Sequence, residues 1–340
     1  MNYIGSKTSL LNFIEQTVES VAGQPPGLGQ RKVGKVFCDL FAGTGAVGSR
    51  FKELGYEVVA NDIQYYSYIL NRNAIENCAD IADRAALSHL VEYLNDELAP
   101  SEGFIYSNYC KGSGSGRNYF SDENGKKCDA IRKEIERLHL QKAITEDDYF
   151  FLLAGLINSA DKVANTATVY ASFLKHIKKS AQKPLVLEPI APPHGIKGKA
   201  FCEDSHVLIR RISGDILYLD PPYNTRQYGS NYHILETIAR YDEPKITGVT
   251  GLRDWAETKS SWCSKRTAKQ ALKDTIDNAD FKYIFLSYNN EGLIAQEEIE
   301  NLFAQTGRYL CYEQPYRRLI THTGEPPTTT TEYIHCLIRE

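Results

Sequence analysis

Eight cysteines are scattered over 340 residues without one C-x-x-C pair. That spacing argues against zinc. With Cys38 and Cys336 inside apolar, strand-like runs, it fits reduced, buried thiols better than disulfides. No metal ligation is expected. No apolar run approaches the ~20 residues that cross a bilayer; the longest striking one is Phe150 to Ile157. The N-terminus lacks the apolar core of a signal peptide, and no internal repeat is evident. A positive charge balance is missing as well. The formal net charge is −4, so attraction to a polyanion has to come from local charge rather than from the total. What is present is ordinary for a globular chain, with 42% hydrophobic and 24% charged residues. The length buries a full core and suits two domains. These absences lead to the expectation of a cytoplasmic protein without membrane contact.

The tetrapeptide Asp220-Pro221-Pro222-Tyr223 follows directly on the apolar run Ile216-Leu217-Tyr218-Leu219. A buried strand that ends on an acid, two prolines and an aromatic ring is an odd thing to build for stability. The prolines remove two N–H donors and fix φ, which leaves backbone carbonyls without competing donors and holds Tyr223 on a stiff tether. A carboxylate, a carbonyl and a flat ring within four residues can grip an exocyclic amino group and stack on the ring that carries it. For the tetrapeptide alone, a strand end with a Pro-Pro turn is the plain alternative.

A second segment narrows the choice. Val36 to Phe41 reads as a short buried strand, Ala42 to Gly48 as a glycine turn, Ser49 to Leu54 as a helix, and Glu57 to Ala60 as a second strand ending in Asn61-Asp62. Gly43, Gly45 and Gly48 have G-x-G-x-x-G spacing, and Asp62 lies 19 residues after the first glycine. This pattern fits a dinucleotide fingerprint. Asp39 argues against one, because a carboxylate just before the turn would repel a pyrophosphate. S-adenosylmethionine (SAM) has no phosphate and carries an ammonium and a sulfonium, both attracted to an acid. Asp62 would then hold the ribose hydroxyls.

Tyr3-Ile4-Gly5-Ser6-Lys7, Asp39 to Gly45, Asn61-Asp62 and Asp220 to Tyr223 occur in that order. In this the chain resembles the Dam-like, alpha-class N6-adenine DNA methyltransferases, and in particular a subset found in restriction–modification systems. The likeness extends through Asn224 to Tyr228, Asn231 to His233 and Leu286 to Gly292. It implies a Rossmann-like α/β methyltransferase sheet with an inserted, mostly helical target-recognition domain. It implies transfer of the SAM methyl group to a flipped-out adenine in double-stranded DNA. Asp220, Pro221, Pro222 and Tyr223 become the catalytic set. Tyr3, Lys7, Asp39, Phe41, Gly43, Gly45, Asp62 and Asp220 become the cofactor set, with Lys7 meeting the SAM carboxylate. Tyr3 stands where Dam itself has tryptophan. A cognate restriction endonuclease is an expected partner, and the enzyme is expected to be a monomer.

Residues 1–77 and 200–340 form the expected catalytic domain and 78–199 the target-recognition domain. Within the latter, Lys111 to Arg117 looks like a mobile loop, Asp129 to Lys142 like an amphipathic helix, and Thr145 like the N-cap of a helix reaching Lys162. Lys282 to Ser287 and Tyr333 to Ile338 read as later strands, with Thr328 to Thr331 leading into the last. From Lys162 to Leu187 there are five lysines and no acid. That run, with Lys175, Lys178 and Lys179 at its centre, is a candidate phosphate contact, a solvated helix face being the plainer reading. Pro244 to Gln270 is a second basic stretch. His233 reads as structural or DNA-facing rather than catalytic. Three other readings stay open on residues alone: amino methylation of RNA or a protein amide, a non-catalytic DNA-binding regulator on the same scaffold, and a nicotinamide-dependent oxidoreductase.

Overall fold

The structure, a computed structural model, describes residues 3–27, 35–317 and 329–340. The predicted Thr328 lies outside them. Two compact units emerge. One comprises Gly5–Ile63, Pro193–Gln227 and Thr258–Glu340, the other Met1–Ile4, Gln64–Pro192 and Tyr228–Glu257.

The first unit is built on a seven-stranded sheet. Its strands are β1 (Val36–Asp39), β2 (Glu57–Asn61), β3 (Lys199–Phe201), β4 (Ser213–Leu219), β5 (Asp280–Asn289), β6 (Arg308–Arg317) and β7 (Thr329–Ile338), in the order β3-β2-β1-β4-β5-β7-β6. The first five run parallel, and β7 enters antiparallel between β5 and β6. The parallel strands are near-continuous apolar runs, as strands covered on both faces must be. Leu217, Leu219, Ile284 and Leu286 are fully buried with Trp262, Leu272 and Phe303 from the flanking segments. Each such side chain contributes about 1.5–3 kcal/mol on leaving water. The sheet is the α/β methyltransferase architecture expected from the sequence.

The second unit is helical. Glu146–Lys162 is buried from Asp148 to Ala160, which explains an apolar run too short for a membrane. Thr145 and Asp148 close the expected capping box. The preceding helix begins at Asp122 rather than Asp129, capped by Ser121. Its first turn carries Asn124 and Gly125 instead of an apolar stripe, so periodicity could not show it. A Cβ on Gly125 would collide with the Cys110 sulfur. The 111–117 loop is laced down: Gly112 N–H donates to Asp122, and Arg117 donates to the Asn108, Gly248 and Val249 carbonyls.

The units do not divide where the sequence placed the border. Tyr65–Asn71 packs with Glu146–Lys162 and His233–Arg240, and Ile69, Leu70, Ile234, Leu235 and Ile238 share one core with Leu152 and Leu156. Packing therefore assigns residues 64–77 and 228–257 to the helical unit. Among the described residues no helix is long and apolar enough to cross a membrane.

Candidate active site

Chemistry collects at the carboxyl ends of β1, β2 and β4. The chain turns off β1 through Gly43 (φ +52°) and Gly45 (φ +80°). Both values favour glycine because a Cβ there meets backbone. The turn is tied to its neighbours: Leu40 N–H donates to the Tyr218 carbonyl and Ala42 N–H to the Asn61 carbonyl. The Asn61 side chain joins three strand ends, donating to the Leu40 and Glu203 carbonyls and accepting from Glu203 N–H. Asp62 accepts from Gly43 N–H at 2.9 Å.

Asp39 is buried, 1% exposed, and its Oδ1 has no hydrogen-bond partner among the described residues. Burial, with the nearby Asp220 charge, pushes its pKa up to about 8, against the pull of the Gly48 and Phe41 N–H groups. A buried, half-satisfied carboxylate is costly unless a cation meets it. The Phe41 ring, half-buried, stands edge-on to Trp262 at 5.3 Å.

Asp220 leaves β4 beside Lys7, whose Nζ lies 3.0 Å from its Oδ1 and 2.7 Å from Glu332 Oε1. Lys7 and Glu332 are enclosed at 4% and 1% exposure, while Asp220 keeps 15%. Burial raises the Asp220 pKa to about 7; Lys7 opposes this and Glu332 adds to it. Burial works against the Lys7 charge, yet Asp220 and Glu332 together hold its pKa well above the ordinary value. The two prolines follow, and Tyr223 is held edge-on to Tyr288 at 6.1 Å with the Lys7 ammonium 5.5 Å from its ring centre.

Asp220 and Lys7 are thus in contact, as are Asp62 and Gly43, and the Asp220 charge acts on Asp39. Tyr3 belongs to the helical unit, where its ring stacks on Tyr232 at 4.7 Å and its hydroxyl meets that of Tyr66 at 3.1 Å. Lys175 and Lys179 are exposed. Lys178 is turned inward, with Nζ donating to the Thr166 carbonyl at 2.7 Å. The solvated helix face offered as the plainer reading of this run is not seen: it is a tethered loop with one short 3-10 turn, Lys179–Gln182. His233 is fully buried with both ring nitrogens against backbone carbonyls, a structural placement.

Sequence reasoning missed Glu332. Its one signal was an acid between the β-forming threonines and the strand-like run Tyr333 to Ile338, an expensive choice on a strand flanked on both sides.

A family model for the D12 class N6 adenine-specific DNA methyltransferases matches residues 3–302, and the chain belongs to that family. It is 50% identical over 342 residues to the type II methyltransferase M.NlaIII of Neisseria lactamica, covering 99% of each chain. It is 32% identical over 339 residues to the type II methyltransferase M.CviAII of Paramecium bursaria Chlorella virus 1, covering 98% of this chain and 97% of that one. To the type II methyltransferase M.FokI of Planomicrobium okeanokoites it is 38% identical over 345 residues, but it spans only 52% of that protein. The protein is therefore an adenine-specific DNA methyltransferase, and its family implies SAM as methyl donor. The RNA, protein-amide, regulator and oxidoreductase readings fall away.

Proposed function

We propose that Asp220 and the Pro221 carbonyl accept the two hydrogens of an adenine N6 amino group. The observation that carries this is Asp220 itself, a carboxylate at the mouth of a buried charge cluster and still reachable. N6 is a poor nucleophile because its lone pair is delocalised into the ring. Two acceptors on its hydrogens return density to nitrogen and favour tetrahedral geometry. One proton must leave as nitrogen gains carbon, and Asp220, with its pKa near 7, is suited to take it. Tyr223, braced by Tyr288, would stack on a base drawn out of the duplex. Positioning and electrostatics supply the rate.

The cofactor residues fit SAM by charge. The orphaned Asp39 oxygen suits a cation, Asp62 ribose hydroxyls, and the glycine turn at Gly43 and Gly45 leaves the approach open; Lys7 already meets Asp220 and Glu332, so its role toward the SAM carboxylate rests on family likeness alone. Phe41 offers a ring to the same ligand, and Tyr3 completes the set by family likeness. When bound, SAM supplies a methyl group activated by its sulfonium. Lys175 and Lys179 would contact phosphates, with Lys178 holding their loop. A specific site in double-stranded DNA and a cognate restriction endonuclease acting on it belong to the same reading, with the enzyme working in the cytoplasm as a monomer. Sequencing plasmid DNA from expressing cells with modified-base detection tests the whole reading. N6-methyladenine at one short sequence is expected; unmodified DNA would sink it.

A further inference from the structure

Glu332 lies on β7 opposite Asn289 of β5 and Gln314 of β6, in the middle of a sheet where a carboxylate has little to gain. Its Oε1 accepts from Lys7 Nζ at 2.7 Å and from the Ser287 hydroxyl at 2.5 Å. Its Oε2 has no hydrogen-bond partner among the described residues. So one lysine is shared by two acids, and it sits nearer the acid that no substrate can reach. With Asp220 as its sole anion, the ammonium would form a short charge-assisted bond to the very group meant to accept N6 hydrogens. With Glu332 in place, the cluster of one cation and two acids stays net negative, and that charge falls on Asp220.

We propose that Glu332 is a positioning residue for methyl transfer, anchoring the Lys7 ammonium so that Asp220 keeps an acceptor oxygen for the amino group. The groups facing Asp220 are Lys7, Glu332 from β7, Asp39 at the end of β1, Tyr218 of β4, Tyr223, and Tyr316 of β6. Of the nearby acids, Glu332 alone shares the lysine with Asp220.

The inference rests on the reading of Asp220 given above, and the experiment separates the two. In the full-length protein, Glu332→Gln keeps the shape and removes the charge. With SAM saturating, so that Asp39 is already met by its cation, the acid limb of kcat/KM for DNA reports the proton on Asp220, and losing the neighbouring anion should move it down by about one pH unit. In the cofactor-free protein, carbon-13 NMR of the aspartate carboxyls, assigned with Asp220→Asn, should show the same downward shift. At pH 8 kcat should fall about tenfold or more. Glu332→Asp keeps the charge and should return the limb to its wild-type position. If both the limb and the Asp220 resonance stay in place in Glu332→Gln, while activity falls only in step with melting temperature, Glu332 is structural filling and the proposal fails. Should Glu332→Gln not fold, Glu332→Asp carries the test: kcat must fall with the limb unmoved, and wild-type kcat overturns the proposal. An active Asp220→Ala protein removes the Asp220 reading itself. An inactive one, with an unmoved limb in Glu332→Gln, removes only the role of Glu332.

Discussion

In the helical unit the Asp129 carboxylate accepts from Ile105 N–H, Tyr106 N–H and the Tyr241 hydroxyl, at 2.9, 2.8 and 2.6 Å. Glu236 accepts from Tyr65 and Tyr66 N–H and from Arg240, using both oxygens. In the sheet unit Asp39 and Glu332 are as deeply buried, yet each keeps one oxygen without a partner among the described residues. The two regions put the same chemical group to different uses. Fully satisfied acids fix a backbone in place. Under-satisfied acids store a free-energy cost that a bound cation relieves.

The comparison breaks most visibly at Asp220. Replacing it with alanine should lower methyl transfer by at least about 10²–10³-fold while the circular dichroism spectrum and melting transition persist. A variant that keeps more than about a tenth of the wild-type rate, a barrier change of only ~1.4 kcal/mol, contradicts the assignment.

Asp39 sharpens it next. Asp39→Asn should weaken SAM binding by about 10- to 100-fold in calorimetry, the worth of one charge-assisted hydrogen bond. The folded pKa of Asp39 is about 8, above its unfolded value near 3.9. Its stabilisation of the cofactor-free protein is therefore full below about 3.9 and lost as pH rises through about 8. The asparagine variant should then melt higher than wild type at pH 9, by about a few degrees. Proton release on SAM binding at pH 7, read from titrations in buffers of different ionisation enthalpy, belongs to the same prediction. PH-independent affinity between 6 and 9 would remove Asp39 from the pocket.

In the helical unit the opposite pattern is expected. Asp129→Asn should cost about 1–3 kcal/mol in urea unfolding and leave the SAM affinity of the folded protein unchanged. A weakened cofactor site with unaltered stability would erase the distinction between the two kinds of acid.

The smallest effect concerns DNA. Lys175→Gln with Lys179→Gln should flatten the log–log salt dependence of binding by roughly 1.8, about 0.9 per contact, and do so alike for every sequence. Lys178→Gln should alter stability instead, through the lost Thr166 bond. A wild-type slope in both variants would mean that this loop does not meet phosphate.

What could be read beforehand was local. The glycine turn, the β1 and β4 strand ends and the Thr145 capping box each sit within a few residues, and spacing alone carries their geometry. The unit border was not local. Nothing in the composition of residues 228–257 marks that His233–Arg240 buries its apolar side against Tyr65–Asn71 rather than against the sheet. Tyr3 and Lys7 look like one motif in sequence, but packing assigns them to different units. Lys178 looked like its neighbours until its ammonium was found on a carbonyl. Glu332 stayed hidden because its meaning is a contact with a residue 325 positions away.

That separation also sets a clock. Lys7 leaves the ribosome 325 residues ahead of Glu332, and β7 must slip between two strands already made. At about 5–20 residues per second, roughly 16–65 s pass between the two. For that interval the lysine has no buried acid, β5 and β6 have no strand between them, and a nascent chain held on the ribosome has no completed cluster. Translation arrested before residue 332 would leave such a chain with every motif visible in its first 223 residues and still without the arrangement proposed to keep Asp220 an acceptor.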